Sequence, residues 1–393
     1  MMKNNSEVKA VNIEKKQKIG IMTFHASNNC GSMLQAFALQ RVLIDKFGVE
    51  CELIDFSNEG QRAMYRTFWK VNGIKAIIKN ALWLSVYSEI KKQIDAYASF
   101  SEKYFRLSEN SYSTCEQLSR ENSVYDKYIT GSDQVWNICC MDADDAYYLS
   151  FVTKGKKYAY AVSFGANNPY ILENGEHYKK LTKEFDRISV REENARKWIK
   201  SEVGINVPLC LDPTMLLDQG EWEKYIQFDD VRIIQGNYIF YYCFSISQRI
   251  ASFLHSISKQ LNMPVYFLEP KEWALRCCWK NSIHLVGKYG PETFLNLMKY
   301  ANIIFTTSFH GTAFSTIFHK NFWYIDSEMN DPEKDDRAIS FLSQLGLMER
   351  YKTLDYLSRN DLNITPDYQE VDNRLCVLKE NSMLYLKKMV EDE

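Results

Sequence analysis

Six histidines occur among 393 residues, and one of them, His310, stands where it could move a proton. It lies in "TTSFHGTAFS" (306–315), after the apolar run "ANIIF" and before Gly311 and Thr312. That order reads as a strand, a tight turn and a helix start. Unpaired backbone N–H groups at a helix start attract anions, and imidazole suits acid–base work near neutrality. Histidines are more often structural than catalytic, but this placement favours the catalytic use. His319, near the end of the same helix, reads as a C-terminal cap.

Three other segments carry polar groups in useful clusters. In "GSDQVWN" (131–137), Ser132, Asp133, Gln134 and Asn137 surround Trp136. An aromatic platform beside hydrogen-bonding groups suits a sugar, although a capped turn with a core tryptophan accounts for the pattern equally well. In "NNCGS" (28–32), Asn28 and Asn29, with Gln35 beyond them, can exchange hydrogen bonds, and Gly31 lets a ligand approach the backbone. Helix capping by Asn29 or Ser32 is the alternative. Arg191 follows the apolar "ISV" and could hold a carboxylate or phosphate in bidentate fashion. On spacing alone, a salt bridge to Glu192 or another local acid explains it better. Lys288 in "VGKYG" and Arg337 in "DDR" add cations on later loops. Neither G-x-G-x-x-G nor G-x-x-x-x-G-K-[ST] occurs, so nucleotide-cradling loops of those kinds have no support.

The elements that must position these groups follow from periodicity. "KIGIMTF", the helical repeat of "MLQAFALQRVLIDKFG" and "VECELIDF" form a strand–helix–strand unit, which calls for a parallel sheet. Strands are also expected at "YDKYITGSD", "KYAYAVSFG", "FDRISVRE" and "VPLCLDPT" (207–214), with helical and loop material over 60–120. A second series runs from "NYIFYYCFS" through "MPVYFLEP", "IHLVG", "NIIFTTS", a helix at 311–320 and "NFWYID". The result is an α/β protein with a disordered polar leader (1–17), an N-terminal domain (18–220), a C-terminal domain (235–345) and a helical segment (346–393) packing on the body. Ligands of open α/β sheets bind outside the strands' carboxyl ends, so the candidate residues are expected to face one cleft.

Lys+Arg at 48 against Asp+Glu at 50 gives no global field that would draw nucleic acid. Ten scattered cysteines lack zinc-like spacing, so no metal is expected, and they read as reduced thiols of a cytoplasmic protein. The leader has no apolar core of a secretory signal, and no stretch reaches the roughly 20 apolar residues of a membrane span. "GIKAIIKNALWLSVY" (73–87) could lie on a membrane surface, but a helix packed on its own domain is the preferred expectation.

In chain order, "NNCGSMLQAFALQ", "YITGSDQVWN", "YAVSFGA", "ISVREENA", "CLDPTMLL" and "ANIIFTTSFHGTAFSTIFHKNFWYI", followed by "DDRAISFLSQLGL", resemble the polysaccharide pyruvyl transferase family over about 20–350. The resemblance implies two Rossmann-like domains facing across a cleft, as in B-type glycosyltransferases. It implies phosphoenolpyruvate as co-substrate without a cofactor, and a glycan or lipid-linked oligosaccharide as acceptor. The catalytic histidine of the family corresponds to His310 and a donor-binding arginine to Arg191. Relatives carry an arginine two residues before the histidine, where this chain has Ser308, so Lys288 or Arg337 is expected to supply the charge. Gly311 and Thr312 would offer N–H groups to the donor, Asp133 would serve as a base, and the "GSDQVWN" and "NNCGS" loops would hold the acceptor. The family also suggests peripheral contact with the inner membrane face. A sugar-nucleotide glycosyltransferase and a catalytically silent glycan-binding relative are the competing readings.

Overall fold

Apolar runs alternating with amphipathic helices assemble into two parallel sheets in the computed structural model, which describes residues 17–120, 124–228, 231–326 and 336–392. Residues 1–16 of the expected disordered leader fall outside that range. The first sheet holds β1 (Lys18–Met22), β2 (Glu50–Phe56), β3 (Leu107–Tyr112), β4 (Lys127–Thr130), β5 (Lys156–Val162) and β6 (Arg187–Val190), ordered β3-β2-β1-β4-β5-β6. The second holds β7 (Ile239–Tyr242), β8 (Val265–Phe267), β9 (Ile283–Leu285), β10 (Ile303–Thr306), β11 (Phe322–Asp326) and β12 (Tyr351–Thr353), ordered β12-β11-β10-β7-β8-β9. Counted from its own first strand, the second sheet repeats the doubly wound order of the first. Helices cover both faces, so the central strands are buried throughout rather than alternating: every residue of β4, β7 and β10 is buried.

The departures from expectation lie at sheet edges. β3 ("LSENSY") falls within 60–120, and β12 ("YKT") carries the second sheet past residue 345 into the segment expected to be helical. Edge strands bury little, so neither has an apolar signature. The strand expected at 207–214 reduces to one bridge, Val190 to Leu209, where Pro208 contributes a carbonyl but no N–H. The helix expected at 311–320 runs Phe309–Ile317.

One core cluster continues through both domains. Phe37 of the first packs on Trp222 at 5.9 Å, and Trp222 packs on Phe314 of the second at 5.2 Å. The last helix, Tyr368–Glu391, straps the two together. At one end the Tyr368 hydroxyl donates to Lys320 O at 2.5 Å, and at the other Lys127 Nζ donates to Met389 O at 3.1 Å and Val390 O at 2.6 Å. Between them Leu211 N donates to Ser382 Oγ at 2.9 Å. A second bridge comes from the helix Tyr87–Tyr104, whose Tyr104 hydroxyl donates to Glu292 at 2.8 Å while Glu89 accepts from Tyr289 at 2.9 Å.

The helix Ile74–Ser85 does not bury its apolar face against its own domain as expected. It rests through Trp83 near Ala274 of the helix Pro270–Leu275, with Ile74, Ile77 and Ile78 outward.

Leu386 is fully buried where the closing helix meets the shared core. Leu386→Ala is expected to lower stability by about 2–5 kcal/mol, read as the shift of the urea midpoint. An unchanged midpoint would show that the strap contributes nothing to stability.

Candidate active site

Each sheet reverses its strand order at its centre, between β1 and β4 in the first and between β7 and β10 in the second. Connections leave on opposite faces there and open a crevice at the strands' carboxyl ends. The two crevices meet in a cavity of about 440 Å³. Asn29 and Ser32 reach it from the segment after β1, Asp133 and Gln134 from β4, Cys243 and Ser245 from β7, and Ser308 and His310 from β10.

His310 is the second residue of the helix Phe309–Ile317 and is buried. Its ring edge lies on the start of the helix Cys30–Phe47, so tightly that a Cβ at Gly31 would run into Nδ1. Gly31 therefore admits the histidine of the opposite domain rather than a ligand. Nε2 is buried without a hydrogen-bond partner and lies 3.6 Å from Asp212 Oδ2. That separation is too long for a hydrogen bond.

Asp212 was given no role of its own in the sequence reading, although its "DPT" turn, at the carboxyl end of an expected strand, falls where ligands of such sheets bind. Its Oδ1 accepts from Thr214 N at 3.0 Å and Thr214 Oγ1 at 2.8 Å, and its Oδ2 accepts from Arg191 Nη1 at 2.8 Å and Ser132 Oγ at 3.1 Å. Burial alone would push this carboxyl up, but His310 and then Arg191 outweigh it and hold it well below the usual carboxylate range. Asp133 is the second carboxylate on the guanidinium, with Arg191 Nη2 donating at 3.1 Å and Ser32 Oγ at 2.5 Å. Its carboxyl is also held low, Arg191 and His310 overcoming burial.

Arg191 is thus held by salt bridges, the outcome its spacing favoured, though chiefly to Asp133 and Asp212 rather than to Glu192. It lines the cavity all the same, and it stacks 4.4 Å over Phe309 of the other domain. Glu192 lies behind it with Oε2 at 3.7 Å from Nε, neither atom hydrogen-bonded. Burial outweighs the attraction of the guanidinium and pushes Glu192 up to about 7.

The remaining expected residues divide. Asn29 lines the cavity and also caps its helix by accepting from Ser32 N, while Gln134 lines it and accepts from Asn137 at 2.9 Å. Ser308 and Arg337 line it, and so does Arg249, which the sequence reading missed. Lys288 does not: it follows β9, the edge strand farthest from the switch point. Asn28 and Asn137 also lie outside the lining, as do Gly311 and Thr312. The Thr312 N–H is used within the helix, donating to Ser308 O, because the helix begins two residues earlier than expected. Trp136 offers no platform; it is fully buried, stacked on Tyr148 at 4.7 Å, with Nε1 donating to Tyr147 O. Gln35 and Ser132 are internal braces: Gln35 accepts from Ser132 N at 3.0 Å and donates to Thr23 Oγ1 at 2.8 Å. Among the described residues, no group of three His, Cys, Asp or Glu side chains is arranged to hold a metal ion.

A family model described as polysaccharide pyruvyl transferase matches residues 29–328. No curated protein sequence matches the chain. Among solved structures, the chain is similar to the UDP-GlcNAc 2-epimerase of Neisseria meningitidis bound to UDP-GlcNAc, with TM-score 0.50 and 10% identity over 94% of this chain and 100% of that one. It is also similar to the Methanocaldococcus jannaschii UDP-GlcNAc 2-epimerase in complex with UDP-GlcNAc and UDP (TM-score 0.48, 11% identity, 93% and 100% covered) and to an E. coli heptosyltransferase with ADP-2-deoxy-2-fluoro heptose (0.38, 10%, 84% and 99%). At 10% identity the likeness to the Neisseria meningitidis enzyme bears on fold alone, a GT-B-like pair of Rossmann-like domains.

Gly31→Ala is expected to destabilise the protein by about 1–3 kcal/mol through overpacking against the histidine, measured by denaturant unfolding. For Asp212, whose folded pKa is depressed, the stabilising contribution is full above the unfolded value near 4 and fades as pH falls below it. Asp212→Asn should therefore be less stable than the wild type by about 3 kcal/mol at pH 7, with the gap closing below pH 4. A gap independent of pH would rule out the charge as its cause.

Proposed function

The chain belongs to the polysaccharide pyruvyl transferase family, and from that premise we propose that this transferase moves pyruvate from phosphoenolpyruvate onto two hydroxyls of one sugar. The acceptor is a glycan or its lipid-linked precursor, met by a cytoplasmic protein at the inner membrane face. The observation that carries this reading is the position of His310, brought by the second domain to the cavity where the carboxylates and arginine of the first converge.

The chemistry sets the requirements. The donor's methylene carbon takes a proton, C2 becomes an electron-poor centre, and the first sugar hydroxyl adds to it. The C2–O bond to phosphate then breaks, and the second hydroxyl completes the ketal. Two hydroxyl protons leave the acceptor, one balanced by the proton gained at the methyl group and the other leaving with phosphate. His310 is the residue we assign to these transfers, with Nε2 free of a hydrogen-bonded partner and Asp212 beside it to stabilise the protonated ring. Asp133 stands close enough to the same cavity to take a proton from a sugar hydroxyl.

Donor charge calls for cations. Arg337 and Arg249 line the second-domain side, and Ser308, whose hydroxyl caps no helix N–H, offers a neutral donor where relatives carry an arginine. Arg191 contributes field from behind its two carboxylates, so Arg337 takes the role of the absent arginine in this reading.

His310→Ala is expected to reduce phosphate release from phosphoenolpyruvate plus acceptor by about a hundredfold or more, with donor affinity retained. Arg337→Ala should instead raise the donor KM about tenfold to a hundredfold. Incubation with candidate glycans, followed by mass spectrometry for an added pyruvate ketal, tests the reaction itself. Turnover of nucleotide sugars without phosphate release from phosphoenolpyruvate would overturn it in favour of glycosyl transfer.

A further inference from the structure

The segment from Met64 to Tyr87 turns Phe68, Trp83 and Val86 inward and presents most of its other apolar side chains outward. The helix Ile74–Ser85 exposes Ile74 at 77%, Ile77 and Ile78 at 55% each and Leu84 at 65%, while Trp83 alone in it is buried. At 3.6 residues per turn these four and Ala81 fall within one arc of about 120°. Ala76 and Trp83, on the opposite side, face the protein. The helix is fixed in that orientation: Asn80 exchanges two hydrogen bonds with the Trp69 backbone at 3.0 Å, and Lys271 Nζ donates to Arg66 O and lies over the Trp83 ring. Trp69 and Val71, just before the helix, are exposed at 57% and 64%.

Charge distinguishes this face from an ordinary protein-binding patch. Residues 60–88 contain Arg62, Arg66, Lys70, Lys75 and Lys79 and no Asp or Glu, in a chain whose formal net charge is −2. Glu59, 3.9 Å from Arg66, and Glu89 stand just beyond its ends, but an exposed apolar stripe whose own segment carries five cations and no acid matches an anionic lipid surface, into which the stripe would sink while lysines meet headgroups. Among the described residues no helix is long and apolar enough to cross a membrane, so the mode is lying on the surface.

We propose that the face formed by Trp69, Val71, Ile74, Ile77, Ile78 and Leu84 docks this protein on an anionic lipid bilayer. Docking stands independently of the reaction. Met64 and Tyr65, directly before this face, line the cavity, so docking would bring the cleft mouth to the bilayer. The delivery of a lipid-linked acceptor by that route rests on the pyruvyl transfer reading.

Flotation of the full chain with phosphatidylglycerol-containing vesicles, against pure phosphatidylcholine vesicles, tests docking without any substrate. Wild type is expected to float with the anionic vesicles and to be released by high salt. Ile74→Ser/Ile77→Ser/Ile78→Ser should weaken binding about a hundredfold or more, and Lys70→Ser/Lys75→Ser about fivefold per lysine; all five side chains are exposed, and an unchanged urea midpoint confirms folding. Failure of wild type to float overturns the proposal, as does a triple isoleucine variant that floats like wild type. A dimer abolished by the triple variant, with no vesicle binding, would assign the face to a second copy of the chain.

Discussion

A guanidinium buried at the boundary between two domains must be neutralised on the spot, and the cleft is organised around that requirement. Arg191 faces Asp133 and Asp212 with both Nη groups and covers Phe309 with its flat face. In a low-dielectric interior such charges interact strongly and leave little tolerance for a missing partner. Three first-domain loops are therefore held in mutual register: those after β4 and β6, and the turn at Asp212. The cross-domain contacts to Phe309 and His310 set the second domain against that cluster. Closure of the cleft and the charge state of its floor are one problem here.

The histidine's surroundings extend the same logic. Gly31 leaves room for the imidazole at the start of the first domain's opening helix, and Asp212 stands on its other side. The carboxylate is kept ionised despite burial because two basic groups face it. Glu192 shows the opposite outcome a few ångströms away. Burial there outweighs the arginine's attraction and pushes it up to about 7. Two buried acids against one cation are thus shifted in opposite directions, because Asp212 faces His310 as well as Arg191 while burial prevails at Glu192.

Much of the fold was legible in the chain because fully buried parallel strands need unbroken apolar runs, and "YIT", "YIFYY" and "NIIFT" could hardly be anything else. β3 and β12 were not, since an edge strand of three to six half-exposed residues carries no such mark. In the site, the position of His310, Asp133 and Arg191 at strand ends was legible, but only His310 was singled out by residue type and place; roles for the other two came with the family resemblance. Trp136 misled because a tryptophan beside a polar loop looks the same whether it faces a ligand or stacks on Tyr148, and only packing distinguishes the two. Gln35 and Ser132 misled likewise: polar residues in a cleft loop can brace that loop instead of lining it.

Local periodicity and residue chemistry determined by themselves that this is an α/β chain with two open sheets, with a histidine at a helix start and an arginine at a strand end. Those properties depend on neighbours within a few positions. Tertiary structure alone decided which carboxylate meets the histidine, that Gly31 makes room for it, that Arg337 and Arg249 rather than Lys288 reach the cavity, and that the isoleucines of 74–78 face outward. Each of these depends on where segments far apart in sequence come to rest, and no pattern along the chain encodes that distance.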